Sequence, residues 1–338
     1  MRGAALLTLG AALLAGCATS PYASPLPTAT VVARGETVPV GTANADAADD
    51  PAIWNNASDP AASLIVGTDK KAGLYVYSMD GVVLDYAPDG LLNNVDLVDL
   101  GDGGIVVAAS DRGDPLHAKI RLYRLSAKGK LSPVGTVPVG EGEAYGLCLH
   151  ARDEALLAYS VLKDGKVMES RIDLDRVAAF PLRTFELGSQ GEGCVVDPRN
   201  GTLYVGEETA GIWRFARDAQ TGELVAPTDG EQLVADVEGL ALVPVGDDDG
   251  WLVASSQGDS AYAVYRLPGI NYTGRFRIVA GDFGATDETD GIALQTGNFG
   301  PNFPAGLFVA QDGVNAGGAQ NFKLVRWDEI VAALELSE

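Results

Sequence analysis

Short apolar runs recur in pairs along the chain, and polar or acidic residues begin and end each pair. A polar cluster such as Asp49-Asp50 or Asn93-Asn94 precedes the first run of a pair, and one such as Glu207-Glu208 stands at the end of the second run. The second runs begin at Leu64, Ile105, Leu156, Leu203, Leu252 and Leu307, at intervals of 41, 51, 47, 49 and 55 residues. Repeats of this length are typical of β-propeller blades.

Turn-forming residues, such as Gly101-Asp102-Gly103-Gly104, separate the two runs of each pair. Such clusters between short β-rich runs indicate hairpins. In an antiparallel hairpin the start of the first strand and the end of the second lie at the same edge of the sheet. We therefore expect all the polar clusters to share one face of the molecule.

A third run follows every pair, and a fourth follows in five of the six units. The expected fourth strands are Val82–Tyr86, Val134–Val139, Pro181–Leu187, Glu231–Val234 and Phe276–Ala280. The last unit has none, but an unassigned strand-like stretch, 30–40, precedes the first unit. The pattern predicts an all-β fold, a six-bladed β-propeller with four-stranded antiparallel blades around a central channel. The N-terminal strand would close the ring and so remove open sheet edges.

The pattern has a period typical of an α-helix only in the last stretch, Trp327–Leu336, so a single large β domain at 31–338 is expected. Its charge is strongly negative: 46 acidic against 24 basic side chains give a net charge of -22. This charge argues against a nucleic-acid partner and suits bound cations. We expect a monomer.

The N-terminus has the features of an export signal, with Arg2 before an apolar core and Leu14-Ala15-Gly16-Cys17 at its end. That ending resembles the lipobox of bacterial lipoproteins, in which Cys17 would carry lipid. Residues 1–17 would then be the signal and 18–30 a flexible tether. We expect the protein in the bacterial envelope, lipid-anchored at the outer membrane because Ala18 follows the cysteine. An ordinary secretory signal is the alternative.

Two further cysteines, Cys148 and Cys194, lie in apolar inner-strand runs of neighbouring units. A disulfide between them is conceivable, but buried free thiols are the expectation.

Several hydrolase mechanisms are excluded by the residues present. A Cys-x5-Arg phosphatase loop is absent, because Glu154 and Asn200 stand six residues after the two cysteines. The 2 histidines are too few for a His-rich binuclear centre, and no Gly-x-Ser-x-Gly or phosphate-binding glycine loop occurs. A nucleophilic side chain is therefore unsupported.

Oxygen donors on the polar face remain as the candidate chemistry. They are Asp49, Asp50, Asp96, Glu192, Glu207, Glu208, Asp236, Glu238, Gln257, Asp290 and Asp312. Converging carboxylates repel one another unless hard divalent cations neutralise them. Calcium, which accepts 6–8 oxygens in flexible geometry, fits a ring built from six loops. We expect Asp96 and Asp312 only to cap turns or bind neighbouring blades.

Basic side chains are scarce, yet four fall on this same face: Lys70, Lys71, Arg112 and Lys163. Lysines on a surface often serve only solubility. Their placement beside candidate cation ligands indicates an anionic ligand instead, and phosphate fits best.

The chain resembles the β-propeller phytases from about Gly41 to Ile330. The motifs that carry the resemblance are Asp49-Asp50-Pro51-Ala52-Ile53-Trp54, Lys70-Lys71-Ala72-Gly73-Leu74-Tyr75, Leu92-Asn93-Asn94-Val95-Asp96, Gly191-Glu192-Gly193, Glu207-Glu208, Asp236-Val237-Glu238-Gly239, Ser255-Ser256-Gln257-Gly258, Thr289-Asp290-Gly291 and Gln320-Asn321-Phe322-Lys323. The resemblance implies hydrolysis of phytate, myo-inositol hexakisphosphate, with several calcium ions and release of inorganic phosphate.

The same resemblance implies roles for individual residues. Asp50, Pro51, Val95 and Asn321 match the ligands of a structural calcium. Asp49 belongs to the candidate metal set, and the matches at the channel are Glu192, Glu207, Asp236, Glu238, Gln257 and Asp290. Lys70, Lys71, Arg112 and Lys163 would hold phosphates, and Tyr145 matches a tyrosine of the family.

Two departures from the family pattern stand out. Ala293 replaces an aspartate common in relatives, which puts one channel calcium in doubt. The loop 113–119 has no counterpart that we can match.

The residues and the resemblance together predict a mechanism in which calcium activates a water for in-line attack on phosphorus. Glu192 would orient that water, with Glu238 as the second candidate, while Lys70 and Arg112 clamp the phosphate. Because the protein is so acidic, the expected substrate is a calcium–phytate complex. Two rival classes stay open: a calcium-bearing propeller lactonase or esterase, and a non-enzymatic binding propeller on the cell surface.

Overall fold

The computed structural model describes residues 23–337, which form six sheets arranged as blades, with antiparallel strands in all but one pairing. Two strands, β1 (Ala29–Val32) and β2 (Gly35–Glu36), precede the blades. Blade 1 contains β3 (Ala48–Trp54), β4 (Leu64–Asp69), β5 (Gly73–Ser78) and β6 (Val83–Ala87). Blade 2 contains β7 (Leu92–Asp99), β8 (Ile105–Asp111), β9 (His117–Leu125) and β10 (Leu131–Glu141). Blade 3 contains β11 (Ala144–Arg152), β12 (Ala155–Leu162), β13 (Lys166–Asp173) and β14 (Ala178–Glu186).

The second half of the ring repeats this order. Blade 4 contains β15 (Gly191–Val196), β16 (Leu203–Glu207), β17 (Gly211–Phe215) and β18 (Glu223–Pro227). Blade 5 contains β19 (Val237–Val245), β20 (Asp249–Ser256), β21 (Ala261–Leu267) and β22 (Asn271–Val279). Blade 6 contains β23 (Ile292–Gln295), β24 (Leu307–Asp312) and β25 (Asn321–Arg326). The predicted six-bladed propeller is confirmed.

The first strand of each blade lies innermost, and these six strands contact one another in a closed ring. They line a channel cavity of about 420 Å³ that reaches Asp50, Asp96 and Gly239. Apolar side chains such as Val66, Val107 and Val253, each 0% exposed, fill the space between the blades. Because side chains alternate along each strand, both faces of a blade pack on neighbouring blades. The inner strands therefore present polar groups to the channel mainly at their ends.

The ring closes at the N-terminus, as predicted, but the N-terminal stretch is divided between two blades. Strand β2 pairs antiparallel with β25 and supplies the fourth strand of blade 6. Strand β1 pairs parallel with β22 and adds a fifth strand to blade 5. It begins at Ala29, inside the predicted tether 18–30. The signal segment 1–17 and Cys17 lie outside the described residues.

The prediction that Glu231–Val234 forms the fourth strand of blade 4 is wrong. The strand is β18, and 231–234 lie in the loop that follows it. The carboxylate of Asp229 accepts backbone hydrogen bonds from Glu231, Gln232 and Leu233, at 2.7 to 3.2 Å. This capping interaction satisfies backbone donors that a strand would have used for pairing.

The expectation of free thiols at Cys148 and Cys194 is also wrong. The two residues form a disulfide that joins β11 to β15, with Cα atoms 5.7 Å apart. These strands are the inner strands of adjacent blades, so the ring brings both side chains into one interblade space. The sequence separation of 46 corresponds to one blade repeat and places the two residues on adjacent inner strands, but it does not decide between a disulfide and two free thiols.

The C-terminal helix is confirmed as α1 (Trp327–Ala333), shorter than the predicted segment. Trp327 and Ile330 are buried against blades 5 and 6. Within residues 23–337 no helix is long and apolar enough to cross a membrane.

Candidate active site

The polar clusters share one face, as the hairpin argument predicted, and surround the channel at the end where the inner strands begin. We call this end the channel mouth and define it by Asp49, Asn93, Glu192, Glu238 and Asp290. The hairpin registers explain the convergence, because Gly191 pairs with Glu207 and Ala48 with Asp69 at the strand ends. Beside the mouth, a cavity of about 830 Å³ is lined by loops of blades 5 and 6.

Three carboxylates meet at the mouth on the side of blades 4 and 5. Glu192, Glu208 and Glu238 each place one oxygen within 4.8 Å of the others. Glu192 and Glu238 are 4% and 5% exposed, so two acidic side chains are buried side by side at the mouth. Burial raises the pKa of Glu192 to about 7. Burial and the charge of Glu192 raise the pKa of Glu238 well above its usual range.

A second acidic group surrounds Lys70 on the side of blades 1 and 6. The Lys70 ammonium lies 3.0 Å from Asp49 Oδ1 and 2.8 Å from both Asp290 Oδ2 and Asp46 Oδ2. Burial alone would lower the pKa of Lys70, but these negative charges outweigh it and raise the pKa. Burial raises the pKa of Asp49 to about 6 and that of Asp290 to about 8. Gln257 Nε2 donates to Asp290 Oδ1 at 2.7 Å.

The basic residues of blades 2 and 3 surround one aromatic ring. Arg112 and Lys163 each lie 5.0 Å from the centre of the Tyr145 ring, within cation–π range. Arg112 Nη1 also donates to Asn93 Oδ1 at 2.6 Å, and Asn93 Nδ2 donates to Glu192 Oε1 at 3.0 Å. Asn93 therefore connects the guanidinium to the acidic cluster.

The sequence assigned no role to Asn93, or to Glu143, whose Oε1 lies 3.0 Å from Arg112 Nε. The signal for Asn93 was its place in an opening cluster, at the repeat position of Asp49. Lys71, the remaining predicted phosphate-binding residue, lies exposed beside Lys70.

The structure favours Glu208 over Glu207 as the blade 4 ligand. Glu207 Oε2 accepts from Trp213 Nε1 at 2.7 Å, and its Oε1 accepts from Ser189 Oγ at 2.6 Å. Glu207 is the last residue of β16 and turns into the blade, whereas Glu208 begins the turn that follows and brings its carboxylate within 4.8 Å of Glu192 and Glu238. Periodicity alone could not choose between two adjacent glutamates at a strand end.

Three of the four residues matched to a structural calcium line the channel together, and the fourth lies on the neighbouring blade. Asp50 Oδ2 accepts from Val95 N at 3.0 Å, and Pro51 and Val95 line the same cavity. Burial and the charge of Asp49 raise the pKa of Asp50 well above its usual range. Asn321 instead lies on blade 6, where its Nδ2 donates to Thr37 O at 3.1 Å and Glu36 Oε2 at 3.2 Å.

Two acids have the modest roles that the sequence suggested. Asp96 accepts from the backbone of Leu97 and of Leu149 in the next blade, at 2.7 Å each. Asp312 accepts from the backbone of Val314 and Asp287, at 3.2 and 3.3 Å.

The donors at the mouth fit a hard divalent cation. Glu238 Oε2 and Asp49 Oδ2 are buried and have no hydrogen-bond partner within the described part of the chain. A buried carboxylate oxygen without a partner costs free energy, and calcium coordination would remove that cost. Asp236 lies half-buried next to Val237, and its carbonyl accepts from Gln257 N at 3.0 Å. Ala293 lines the channel but offers no side-chain donor, in keeping with the doubt about one calcium.

Comparison with known proteins agrees with this geometry. The phytase family model matches residues 2–338. A 3-phytase of Bacillus subtilis (strain 168) is 37% identical over 327 residues, which cover 90% of this chain and 85% of that protein. A buried, partly unpartnered carboxylate cluster beside an Arg–Tyr–Lys group, on a propeller matched over nearly its whole length, places this chain in the phytase family.

Proposed function

We propose that this phytase hydrolyses the phosphate monoesters of phytate by calcium-assisted attack of water at the channel mouth. The observation that carries the proposal is the buried Glu192–Glu238 pair, with one oxygen unpartnered, beside Arg112, Tyr145 and Lys163. A phosphoric monoester needs both a water-activating group and positive charge for its oxygens, and these two sets of residues meet here.

Calcium, when bound by Glu192, Glu208, Glu238, Asp49 and Asp290, would supply a Lewis acid that favours water ionisation and neutralises phosphate oxygens. The protein's own groups do the rest. Glu192, held by Asn93, orients the attacking water and accepts its proton. Arg112 and Lys163 neutralise the phosphate while the bond between phosphorus and the inositol oxygen breaks. That oxygen takes up a proton from Glu192 or from solvent water, and no covalent phosphoenzyme forms.

Lys70 is not free to bind phosphate in this arrangement, because its three N–H donors already face three carboxylates. Asp46 is the exposed partner, with 63% of its side chain accessible. We propose that a phosphate oxygen replaces Asp46 while Lys70 keeps Asp49 and Asp290. With a net charge of -22 the protein repels free phytate, so the calcium–phytate complex is the proposed substrate.

The test of the proposed function is release of inorganic phosphate from phytate, measured with calcium present. We expect turnover on phytate and none on lactones or carboxylic esters, because those substrates carry no phosphate charge for the basic residues around Tyr145 to bind. Lactone hydrolysis without phosphate release would favour the lactonase class. Binding of phytate without any turnover would favour a non-enzymatic propeller.

For localisation, we propose that Cys17 carries lipid and holds the enzyme at the bacterial envelope. There it would act on phytate that reaches the cell from outside. Ser24, inside the predicted tether 18–30, contacts the propeller, because its N–H donates to Asp259 Oδ2 at 3.2 Å. Several acyl chains on one cysteine anchor stably, whereas one does so marginally.

The expected result is that the full-length protein sediments with membranes while a Cys17→Ser variant becomes soluble. Cell fractionation followed by phytase assay of each fraction measures this. If both proteins partition alike into the soluble fraction, the segment is an ordinary secretory signal.

A further inference from the structure

A buried ion pair to which the proposed mechanism assigns no role lies behind Gln257. Arg275 is 0% exposed, and its Nη2 lies 2.6 and 2.7 Å from the two carboxylate oxygens of Asp259, which is 4% exposed. Arg277 Nη2 adds a third contact to Asp259, at 3.2 Å. Burying two charges is costly, and a buried pair can fix the conformation of the segments that it joins.

The held element is the 3-10 turn Gln257–Asp259, which follows β20 at the channel mouth. Asp259 is its last residue and Gln257 its first, so the ion pair fixes the turn that aims the Gln257 carboxamide at Asp290. A Cβ atom at Gly258 would overlap the carbonyl oxygen of Ala235, so the turn packs directly on the chain before β19. The turn therefore has little freedom to shift on its own.

The same carboxylate also fixes the loop that carries Asp236. Ser256 Oγ donates to Asp259 Oδ1 at 2.9 Å and accepts from Val234 N at 2.8 Å. Arg275 Nη1 donates to the carbonyl of Glu231 at 2.8 Å. Together with the bond from Gln257 N to Asp236 O, these contacts tie the loop 231–236 to the turn.

We propose that Asp259, through its pair with Arg275, is a positioning residue that sets the geometry of the Gln257, Asp236 and Asp290 oxygens. The inference rests on the proposed function, in which Asp290 belongs to the calcium-binding set, and on the sequence prediction that Gln257 and Asp236 add further oxygens to it. Groups that orient metal ligands from behind typically contribute 10–100-fold to metal affinity. Asp259 touches neither substrate nor metal, and acts only through the turn and the loop.

The test compares Asp259→Asn with Asp197→Asn. Asp197 is matched because its carboxylate is also buried and paired with an arginine, Arg199 Nη2 at 2.7 Å, but it follows β15 at the opposite face of the propeller. Calcium binding is measured by titration calorimetry on the folded full chain, and kcat on phytate at limiting and saturating calcium. Circular dichroism at the assay temperature establishes that each variant is folded.

We expect Asp259→Asn to weaken calcium binding by about 10-fold or more, with kcat reduced at limiting calcium and recovered at saturating calcium. Asp197→Asn should lose stability without either change. Equal calcium affinity and equal kcat in the two variants would overturn the proposal, since the ion pair would then be structural only.

Two further results keep the inference separate from the proposed function. If Asp259→Asn does not fold, Ser256→Ala decides, because it removes the hydroxyl that joins Val234 to Asp259 but keeps the Asp259–Arg275 pair. It should weaken calcium binding by a smaller factor, while Asp197→Asn does not. If the wild type binds no calcium, the calcium part of the proposed function fails. The positioning role of Asp259 then requires that Asp259→Asn lowers kcat more than Asp197→Asn does.

Discussion

Removing calcium is expected to abolish phosphate release from phytate, by more than about 100-fold, because metal assistance contributes several kcal/mol and each 1.36 kcal/mol is tenfold in rate. Without the cation, the mouth contains buried carboxylates that repel one another: those of Glu192, Glu238, Asp49 and Asp290. A substrate with many negative charges cannot approach such a group closely.

The measurement is a phosphate-release assay after exhaustive chelation and dialysis, followed by readdition of calcium. Magnesium is the control cation: it demands near-octahedral geometry and holds its waters, so it should restore little activity. The melting temperature should fall on chelation and recover with calcium, since the ion binds only the folded state. Undiminished turnover after chelation would contradict calcium dependence.

The second large effect is expected from Glu192→Gln, which should lower kcat about 10²- to 10³-fold, the loss typical of one preorganised electrostatic contact in the transition state. The amide keeps the shape and the hydrogen bond from Asn93 has an oxygen to accept it, but the charge that orients and deprotonates water is gone. The fold should survive, because the substitution also relieves repulsion with Glu238.

Steady-state kinetics on phytate at saturating calcium measures this effect. Glu169→Gln is the matched control, because Glu169 is also a buried carboxylate, 3% exposed, but it pairs with Arg183 in blade 3. That variant should lose stability and keep kcat. A Glu192→Gln enzyme with near-wild-type kcat would move the catalytic role to Glu238.

Much of the fold could be predicted because it is written in local patterns. Alternation of apolar and polar residues identifies strands, turn clusters identify hairpins, and their recurrence at 41 to 55 residues identifies six blades. Hairpin geometry then fixes which strand ends share a face. For this reason the general position of the acidic and basic residues was correct before any tertiary contact was known.

The individual contacts at the mouth could not be predicted in the same way. Glu207 and Glu208 are adjacent, and only the orientation of the strand end sends one to Trp213 and the other toward Glu238. The surrounding of Lys70 by Asp46, Asp49 and Asp290 joins three parts of the chain, one of them 220 residues distant. Such meetings depend on how blades 1 and 6 dock against each other.

The sequence by itself determined the blade count, the shared face and the residue types of the site, since each follows from short-range periodicity and from the chemistry of side chains. Only the tertiary structure decided the Cys148–Cys194 disulfide, the division of the N-terminal stretch between blades 5 and 6, and the separation of Asn321 from Asp50. The physical reason is the closed ring: it sets contacts between strands of different blades, and those contacts leave no periodic trace along the chain.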